Sequence, residues 1–465
     1  MFEEAIGRRE FLTGVSACAV GLAAGNEERM ERFREGHGMI KRLATFCCDV
    51  TPPLRTPIYS SYKPLEVIEH PLLAKGVVLD DGRRRYVLCS VDWCELRNSS
   101  YALFRRKIAE AADTDIANVA VQTVHQHTAP MADTDAVRLL ESTGNPPPLT
   151  PSSYIADCAE RVAKAAKRAM AELVPFDHVG TAQVKVDRVA SNRRVPIGDG
   201  KVVFRGSSCK DPKLREMPEG TIDPMVKTIT FASRQRPLVR LHYYATHPQS
   251  FYGDPRASYD FPGMAREELQ EEEGVFQIYF TGCAGDIAAG KYNDGSPPAR
   301  DELFQRLHAG MAASASSTTY VRAERFEWRR LGLQLTPRED GAFSEAQSRA
   351  RMQDEKAAVL ARHDGATVLA FKARRRAPLE LSALQIGGVR ILHLPGEMMI
   401  DYQLFAQQLC PNDFVAVAAY GDCGPGYVCL ERSFGEGGYE PSASLVVPGS
   451  EGSMRDAIRR LLDVK

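Results

Sequence analysis

The stretch Val119-Ala-Val-Gln-Thr-Val-His125-Gln-His127-Thr-Ala-Pro130 joins an apolar, β-prone run to two histidines. We predict a buried strand at residues 119–124 that runs directly into this pair. In extended backbone, side chains at positions i and i+2 point to the same face. The imidazoles of His125 and His127 can therefore converge on one point. Imidazole is a common zinc ligand and a general acid or base near neutral pH, so this is a candidate metal or catalytic site.

Strand and helix signals alternate along the rest of the chain. Strands are predicted at residues 75–79, 86–91, 179–186, 226–231, 238–244, 276–280, 379–386, 389–392 and 415–418. Helices are predicted at residues 101–112, 154–173, 264–272, 300–315, 344–362 and 398–409. This interleaving indicates an α/β or α+β fold with a large mixed β-sheet core flanked by helices. No linker is visible after residue 38, so residues 39–465 are predicted to form a single catalytic domain.

The N-terminus resembles a twin-arginine export signal. Arg8-Arg9-Glu-Phe-Leu-Thr13 precedes a small, apolar run at residues 14–25, and a charged tether follows at residues 26–38. The apolar run is too short to cross a bilayer. We therefore predict an exported protein, periplasmic or secreted. The alternative is a cytoplasmic protein that begins with an ordinary amphipathic helix.

Composition excludes several classes of protein. The 465 residues are 44% hydrophobic and 26% charged, as expected of a soluble globular chain. The 59 basic and 60 acidic residues give a net charge of -1, which argues against a nucleic-acid partner. Eleven cysteines without any CxxC pair fit neither a zinc ribbon nor a dense disulfide framework. Most of them are expected to be buried thiols.

A third histidine lies in a setting like that of the first pair. His247 stands in Tyr244-Ala-Thr-His-Pro-Gln-Ser250, at the end of another β-prone run. Pro248 cannot donate to a strand ladder and is expected to end the strand. If His247 and a carboxylate meet the first pair, the chain is a metallohydrolase.

Two further segments offer an oxygen ligand. Leu394-Pro-Gly-Glu397 presents a carboxylate where a helix is predicted to begin, although the helix dipole alone favours a Glu there. Tyr420-Gly-Asp-Cys-Gly-Pro-Gly-Tyr427 is a glycine-rich loop whose backbone can approach a ligand closely. Each segment taken alone could be an ordinary turn or cap.

Together, eight segments resemble, in order, the catalytic domain of the neutral/alkaline (non-lysosomal) ceramidase family. They are Asp49-Val-Thr-Pro-Pro, His70-Pro-Leu-Leu-Ala-Lys-Gly-Val-Val-Leu-Asp-Asp, His125-Gln-His-Thr-Ala-Pro, Asn192-Arg193, Ala245-Thr-His-Pro, Gly285-Asp286, Pro395-Gly-Glu and Gly426-Tyr427. The family's His-Thr-His-Ser-Gly-Pro reads His-Gln-His-Thr-Ala-Pro here, and the segment after Tyr427 also differs.

The resemblance implies a single zinc ion and a set of site residues. Its ligands would be His125, His247, Glu397 and Tyr427. His127 would contact the substrate or the reacting water, and Arg193 would contact the substrate.

The resemblance also implies an activity. The protein would be a zinc-dependent amidohydrolase that cleaves the N-acyl amide bond of a ceramide-like lipid, or a related amide, with a zinc-activated water. His127 or Tyr427 would handle protons or the oxyanion. A lipid substrate would imply peripheral membrane contact. The alternatives are a zinc hydrolase of the same fold acting on a non-lipid ester or amide, and a secreted binding protein without catalysis. A deep apolar pocket beside the zinc would favour the lipid, and a shallow polar pocket would exclude it.

Overall fold

A computed structural model describes residues 40–59, 62–251 and 253–464. The predicted signal and charged tether, residues 1–38, lie outside these ranges. Cysteines in the described ranges are free thiols, and most are buried as expected. Among the described helices, none is both long and apolar enough to cross a membrane.

The elements are as follows. The strands are β1 (Arg42–Asp49), β2 (Val67–Ile68), β3 (Leu73–Asp80), β4 (Arg85–Val91), β5 (Glu95–Leu96), β6 (Val119–Thr123), β7 (Met131–Ala132), β8 (Val174–Pro175), β9 (His178–Lys185), β10 (Ser191–Asn192), β11 (Arg194–Gly198), β12 (Lys201–Phe204), β13 (Met225–Ser233), β14 (Arg236–Tyr244), β15 (Arg256–Ala257), β16 (Phe276–Thr281), β17 (Ile287–Ala288), β18 (Thr319–Arg322), β19 (Phe326–Leu333), β20 (Leu379–Ile386), β21 (Val389–His393), β22 (Glu397–Met398), β23 (Phe414–Ala418) and β24 (Tyr427–Val428). The helices are α1 (Asn98–Ala112), α2 (Thr134–Glu141), α3 (Ser152–Ala169), α4 (Pro212–Glu216), α5 (Asp260–Glu273), α6 (Pro297–Ser316), α7 (Glu345–Gln353), α8 (Val359–Ala373), α9 (Ile400–Leu409), α10 (Glu431–Glu436), α11 (Glu440–Ala443) and α12 (Ser450–Leu461).

Three larger mixed sheets form the core. Their strand orders are β6-β4-β3-β1-β8, β16-β14-β13-β9-β18 and β19-β20-β21-β23. Each sheet is mainly antiparallel and ends in one parallel pair, which is β4 with β6, β14 with β16, or β21 with β23. The predicted α/β class with mixed sheets is confirmed, but the strands are distributed over several sheets rather than one.

The three sheets share an apolar core. Leu88 of the first sheet, Leu241 of the second and Ile391 of the third are fully buried in the same hydrophobic cluster. Helices α1 and α3 contact each other and cover the first sheet, whereas α5 and α6 lie against the second. On α3 the apolar residues recur at helical spacing, so its buried face follows directly from the sequence.

One predicted helix is wrong in its extent. The segment predicted as a helix at residues 344–362 forms two helices, α7 and α8, separated by residues 354–358. Asp354 leaves the helical conformation at φ -75° and ψ 101°, and its Oδ1 accepts a hydrogen bond from the Lys356 amide at 3.0 Å. An Asp side chain that bonds to nearby backbone competes with the helix, which explains the break.

Candidate metal centre

The candidate metal site lies at the carboxyl ends of the three parallel strand pairs, and each sheet contributes one residue to it. His125 follows β6, His247 follows β14, and Glu397 follows β21 through a Pro-Gly turn. These three side chains offer ligand atoms that all lie within 4.8 Å of one another. Because the carboxyl ends of parallel strands leave a sheet at the same edge, each sheet can deliver its residue to a common point.

Backbone and side-chain bonds tie these strand ends together. The Thr123 amide donates to the Tyr420 carbonyl at 2.9 Å, and the Ala419 amide donates to the Thr281 carbonyl at 3.0 Å. The Gln122 side chain donates to the carbonyl of Leu394 at 3.1 Å. The loops that carry the site are therefore fixed to one another and to the sheets.

His125 is held by the loop that follows β4. Its Nδ1 donates to the Cys94 carbonyl at 2.8 Å, which leaves Nε2 facing Glu397 Oε2 at 3.0 Å. Its φ is 70°, in the left-handed region, so the backbone here is not extended. The same-face rule for alternate residues does not apply, and the His125 and His127 rings meet edge to face at 5.0 Å between centroids.

His247 is held in the same way by the loop that follows β16. Its Nδ1 lies 2.7 Å from the Ala284 carbonyl and 3.2 Å from the Ile287 carbonyl, so it donates there. Its Nε2 then faces Glu397 Oε2 at 3.2 Å. Carbonyls that accept from Nδ1 fix both histidines in the tautomer with a lone pair on Nε2, as in metal sites.

The three converging atoms fit a metal ion. His125 Nε2, His247 Nε2 and Glu397 Oε2 are buried, and no other described group hydrogen-bonds to them. An ionised carboxylate oxygen and the free Nε2 of a neutral imidazole can only accept, so the three atoms would repel one another without a cation between them. Two imidazole nitrogens and one carboxylate oxygen form a donor set that suits zinc.

The charges of Glu397 and His247 agree with this reading, whereas Glu397 and Glu95 favour a proton on His125 that a bound metal ion would have to displace. Burial favours the neutral form of Glu397, but the neighbouring histidines outweigh it and hold the pKa well below its ordinary value. Burial and the charge of Arg193 lower the pKa of His247 to about 4. Burial also lowers the pKa of His125, but Glu397 and Glu95 more than offset it, so the net pKa is raised.

A second triad, formed by Cys94, His125 and His127, also has ligand spacing. Cys94 Sγ lies 3.8 Å from His125 Nδ1, but that nitrogen already donates to the Cys94 carbonyl. Burial and the nearby carboxylates raise the pKa of the Cys94 thiol well above its ordinary value, so it resists forming the thiolate that binds metals. The triad with Glu397 is the better metal site.

Tyr427 stands directly beside Glu397, because β22 and β24 pair in parallel with these two residues opposite each other. Arg193 Nη2 donates to the Tyr427 hydroxyl at 2.7 Å and to the Gly285 carbonyl at 2.6 Å, while Nε donates to Glu440 at 2.7 Å. A guanidinium only donates, so the phenol oxygen accepts from it and keeps its own proton for another partner. Arg193 thus touches Tyr427 in this structure, and its contact with substrate stays a prediction.

His127 lies beside the triad formed by His125, His247 and Glu397. Its ring centroid is 5.6 Å from that of His247 and 5.4 Å from that of Tyr59. Burial and the two neighbouring histidines hold its pKa well below the ordinary value. The structure therefore places all six predicted site residues in one region, and their individual roles stay predictions.

Tyr420 is also part of this site, although no role was predicted for it from the sequence. Its ring stacks on His125 at 4.3 Å and 24°, and its buried hydroxyl has no hydrogen-bond partner within the described ranges. Burial raises its pKa well above the ordinary value, and the charge of Glu397 adds to the shift. The only sequence signal was its position at the start of the glycine-rich loop.

A cavity of about 500 Å³ opens beside Glu397 and Tyr427. Its described lining is Tyr59, Arg97, Met131, Arg338, Ala342, Phe343, Arg351, Leu360, Asp364, Thr367, Val368, Glu397, Tyr427, Tyr439, Ser442, Ala443 and Leu445. Charged and apolar side chains both line this cavity, so it is not a purely apolar tunnel. Larger clefts of about 630 and 790 Å³ lie around Arg84 and Trp328 and share no lining residue with the histidine site.

Two solved structures have the same fold. The neutral ceramidase from Pseudomonas aeruginosa is 15% identical with a TM-score of 0.64, over 90% of this chain and 73% of that chain. A ceramidase complexed with C2 is 16% identical with a TM-score of 0.65, over 92% and 76% of the two chains. No protein-family model and no curated protein sequence matches the chain. The resemblance found in the sequence is therefore confirmed at the level of the fold.

Proposed function

We propose that this protein is a zinc-dependent hydrolase of N-acyl amide bonds and that His125, His247 and Glu397 hold the metal. The observation that carries the proposal is the convergence of two oriented Nε2 atoms on one carboxylate oxygen, at 3.0 and 3.2 Å. The shared fold with ceramidases supports an amide as the substrate, either a ceramide-like lipid or a related amide.

A bound zinc ion supplies Lewis acidity and a water whose pKa is lowered to about 7. The protein's own part is to bind the amide, orient it and move protons. Tyr427 retains a proton to donate, and its position opposite Glu397 suits it to the oxygen of the amide carbonyl or to the metal.

Arg193 acts through Tyr427 in this proposal. Its hydrogen bond fixes the phenol oxygen, and Glu440 in turn fixes the guanidinium on its other side. His127 has an imidazole at the edge of the triad, and its lowered pKa keeps it neutral at the start of the reaction. We assign to it the transfer of a proton from the reacting water to the leaving amine.

The test is metal content and amide hydrolysis by the full-length protein. Wild type should bind a single zinc ion and hydrolyse N-acyl amides, whereas His125→Ala and His247→Ala should lose most of both. His308→Ala is the matched control, because His308 is a surface histidine on α6 that pairs with Glu272 at 3.0 Å.

A wild type that takes up no zinc from a zinc buffer would contradict the proposal. Zinc binding with hydrolysis of esters and no amides would move the protein to a different hydrolase class. Zinc binding without any hydrolysis would favour a binding protein.

A further inference from the structure

We propose that the cavity beside Glu397 selects amides that carry a carboxylate, such as N-acyl amino acids, and that Arg97 and Arg351 bind this group. The inference rests on the proposed function, because it names the substrate class of the same site. It would make the natural substrate a charged small molecule rather than a two-chain lipid.

Arg97 is the first of the two residues that could bind a carboxylate in this cavity. Its side chain is only 11% exposed, and it lines the cavity at the start of α1. Within the described residues its guanidinium bonds only through Nε, to Glu95. No described residue accepts a hydrogen bond from its two terminal nitrogens, and the side chain lines the cavity. A buried guanidinium with unused donors is costly, and a carboxylate matches the fork of its N–H groups.

Arg351 supplies a second cation from α7. Its Nη2 donates to the Ala342 carbonyl at 2.8 Å, and its Nε is buried without a partner in the described part of the chain. Arg338 lines the same cavity, but it is occupied by Asp340 and by the Pro441 carbonyl and stacks on Phe343 at 3.9 Å. Arg97 and Arg351 are thus the two cavity arginines with N–H donors that bind no described residue.

Changing Asp364 should have opposite effects on the binding of anionic and of cationic substrates. It lines the cavity from α8, where part of the residue reaches solvent, and forms no hydrogen bond or ion pair with any described residue. The protein around its carboxyl group raises the pKa, and the charges of Arg351 and Arg97 oppose this shift. A substrate carboxylate bound by the two arginines would lie close to this second carboxylate. Removing the charge of Asp364 should therefore strengthen binding of an anionic substrate and weaken binding of a cationic one.

The chemistry of the walls argues against a ceramide-sized lipid. An acyl chain laid along this cavity would have to displace water from Arg97, Arg351 and Asp364 without replacing their hydrogen bonds. Loss of such bonds is costly for charged groups. The apolar lining residues Leu360, Val368 and Leu445 suit a short acyl group.

The experiment measures binding of two hydrolysis-resistant probes to the full-length, zinc-containing protein by calorimetry. The probes are N-(hexylsulfonyl)glycine and its uncharged amide, N-(hexylsulfonyl)glycinamide. Both present the same sulfonamide to the metal, so the ratio of their dissociation constants reports on the carboxylate. We expect the acid to bind at least about tenfold more tightly, the value of one charge-assisted hydrogen bond.

Three variants assign this preference. Arg351→Gln should reduce the preference about tenfold, and Asp364→Asn should increase it. Arg349→Gln is the matched control, since Arg349 lies on the same helix, pairs with Glu345 and does not line the cavity. Asp364 and Arg351 reach the cavity surface, so these variants should fold.

Equal binding of the two probes, or weaker binding of the acid by Asp364→Asn, would overturn the inference. A third probe, in which an N-(2-aminoethyl) group replaces the glycine part, carries a positive charge. If the protein prefers this probe and Asp364→Asn abolishes that preference, the inference is overturned in favour of a cationic substrate. A carboxylate preference without hydrolysis of N-hexanoylglycine would instead contradict the proposed function. If N-hexanoylglycine and N-hexanoylglycinamide are both hydrolysed with equal KM, the proposed hydrolase function is supported and the proposed selectivity for a carboxylate is rejected.

Discussion

At the scale of single residues, His125 and His127 have different surroundings although one residue separates them. The left-handed backbone at His125 turns its ring toward Glu397 and leaves His127 at the edge of the site. A non-glycine residue at a positive φ of 70° is strained, and such strain is often found at functional sites. The sequence predicted the pair as a site candidate, but it could not predict this turn of the backbone.

Tyr427→Phe tests the phenol directly. Loss of a donor to the reacting oxygen should lower kcat by about 100- to 1,000-fold. Zinc content separates the two roles, because a ligand role predicts loss of zinc and a donor role predicts that zinc is retained. Tyr320→Phe, on the distant strand β18, is the control. An unchanged kcat in Tyr427→Phe would remove this residue from the mechanism.

Tyr420 provides a second test at this scale. Tyr420→Ala should lower zinc affinity by about 10- to 100-fold, because the ring that stacks on His125 is lost. Tyr420→Phe keeps the ring and removes a buried hydroxyl without a described partner, so the free energy of unfolding should not fall. Zinc titration and urea unfolding measure the two quantities. Wild-type zinc affinity in Tyr420→Ala would show that stacking does not position His125.

At the scale of elements, regular strands with local apolar patterns were predictable. Strands β3, β4 and β6 are such runs, and all three are present in the structure. The strand at β6 was also predicted to be buried, and its residues are buried. The two-residue strands were not predictable, because the pairing of Glu397 with Tyr427 joins distant parts of the chain. The three side chains of the triad could be proposed from the sequence, whereas Tyr420, Arg97 and Asp364 could not, because they reach this region only through packing.

The ion pair between α5 and Asp92, the residue that follows β4, yields a prediction about stability. Arg266 forms a two-pronged pair with Asp92 at 2.8 and 2.9 Å, and both side chains are almost fully buried. Arg266→Ala leaves the Asp92 charge buried and unpaired, so the free energy of unfolding should fall by about 3–5 kcal/mol.

The control is the surface pair of Arg306 with Glu302 on α6. Arg306→Ala should change the free energy of unfolding by less than about 1 kcal/mol. Urea unfolding followed by circular dichroism measures both variants. Similar losses in the two would mean that burial of the Asp92 pair has little effect.

At the scale of the whole molecule, the proposed metal joins three sheets. His125, His247 and Glu397 each follow a strand of a different sheet. A bound ion would therefore crosslink the three sheets at one end of the core. The fold itself was predictable in class from the alternation of strands and helices. The division into three sheets was not, because it depends on which distant strands pair.

Metal removal should therefore lower the stability of the entire protein. An ion at 100 times its dissociation constant adds about 2.7 kcal/mol to the free energy of unfolding if it binds only the folded state. Chelation should lower Tm by a few degrees, and added zinc should restore it. His247→Ala should show no response to zinc, whereas His308→Ala should respond as wild type does. A Tm independent of chelator would contradict a structural link through the metal.

The most direct measurement is anomalous diffraction at the zinc edge from crystals of the full-length protein. The account predicts a single strong peak within about 2.0–2.2 Å of His125 Nε2, His247 Nε2 and a Glu397 oxygen. A peak bound instead by Cys94 and His127, or crystals grown with zinc that show no peak at the triad, would contradict it.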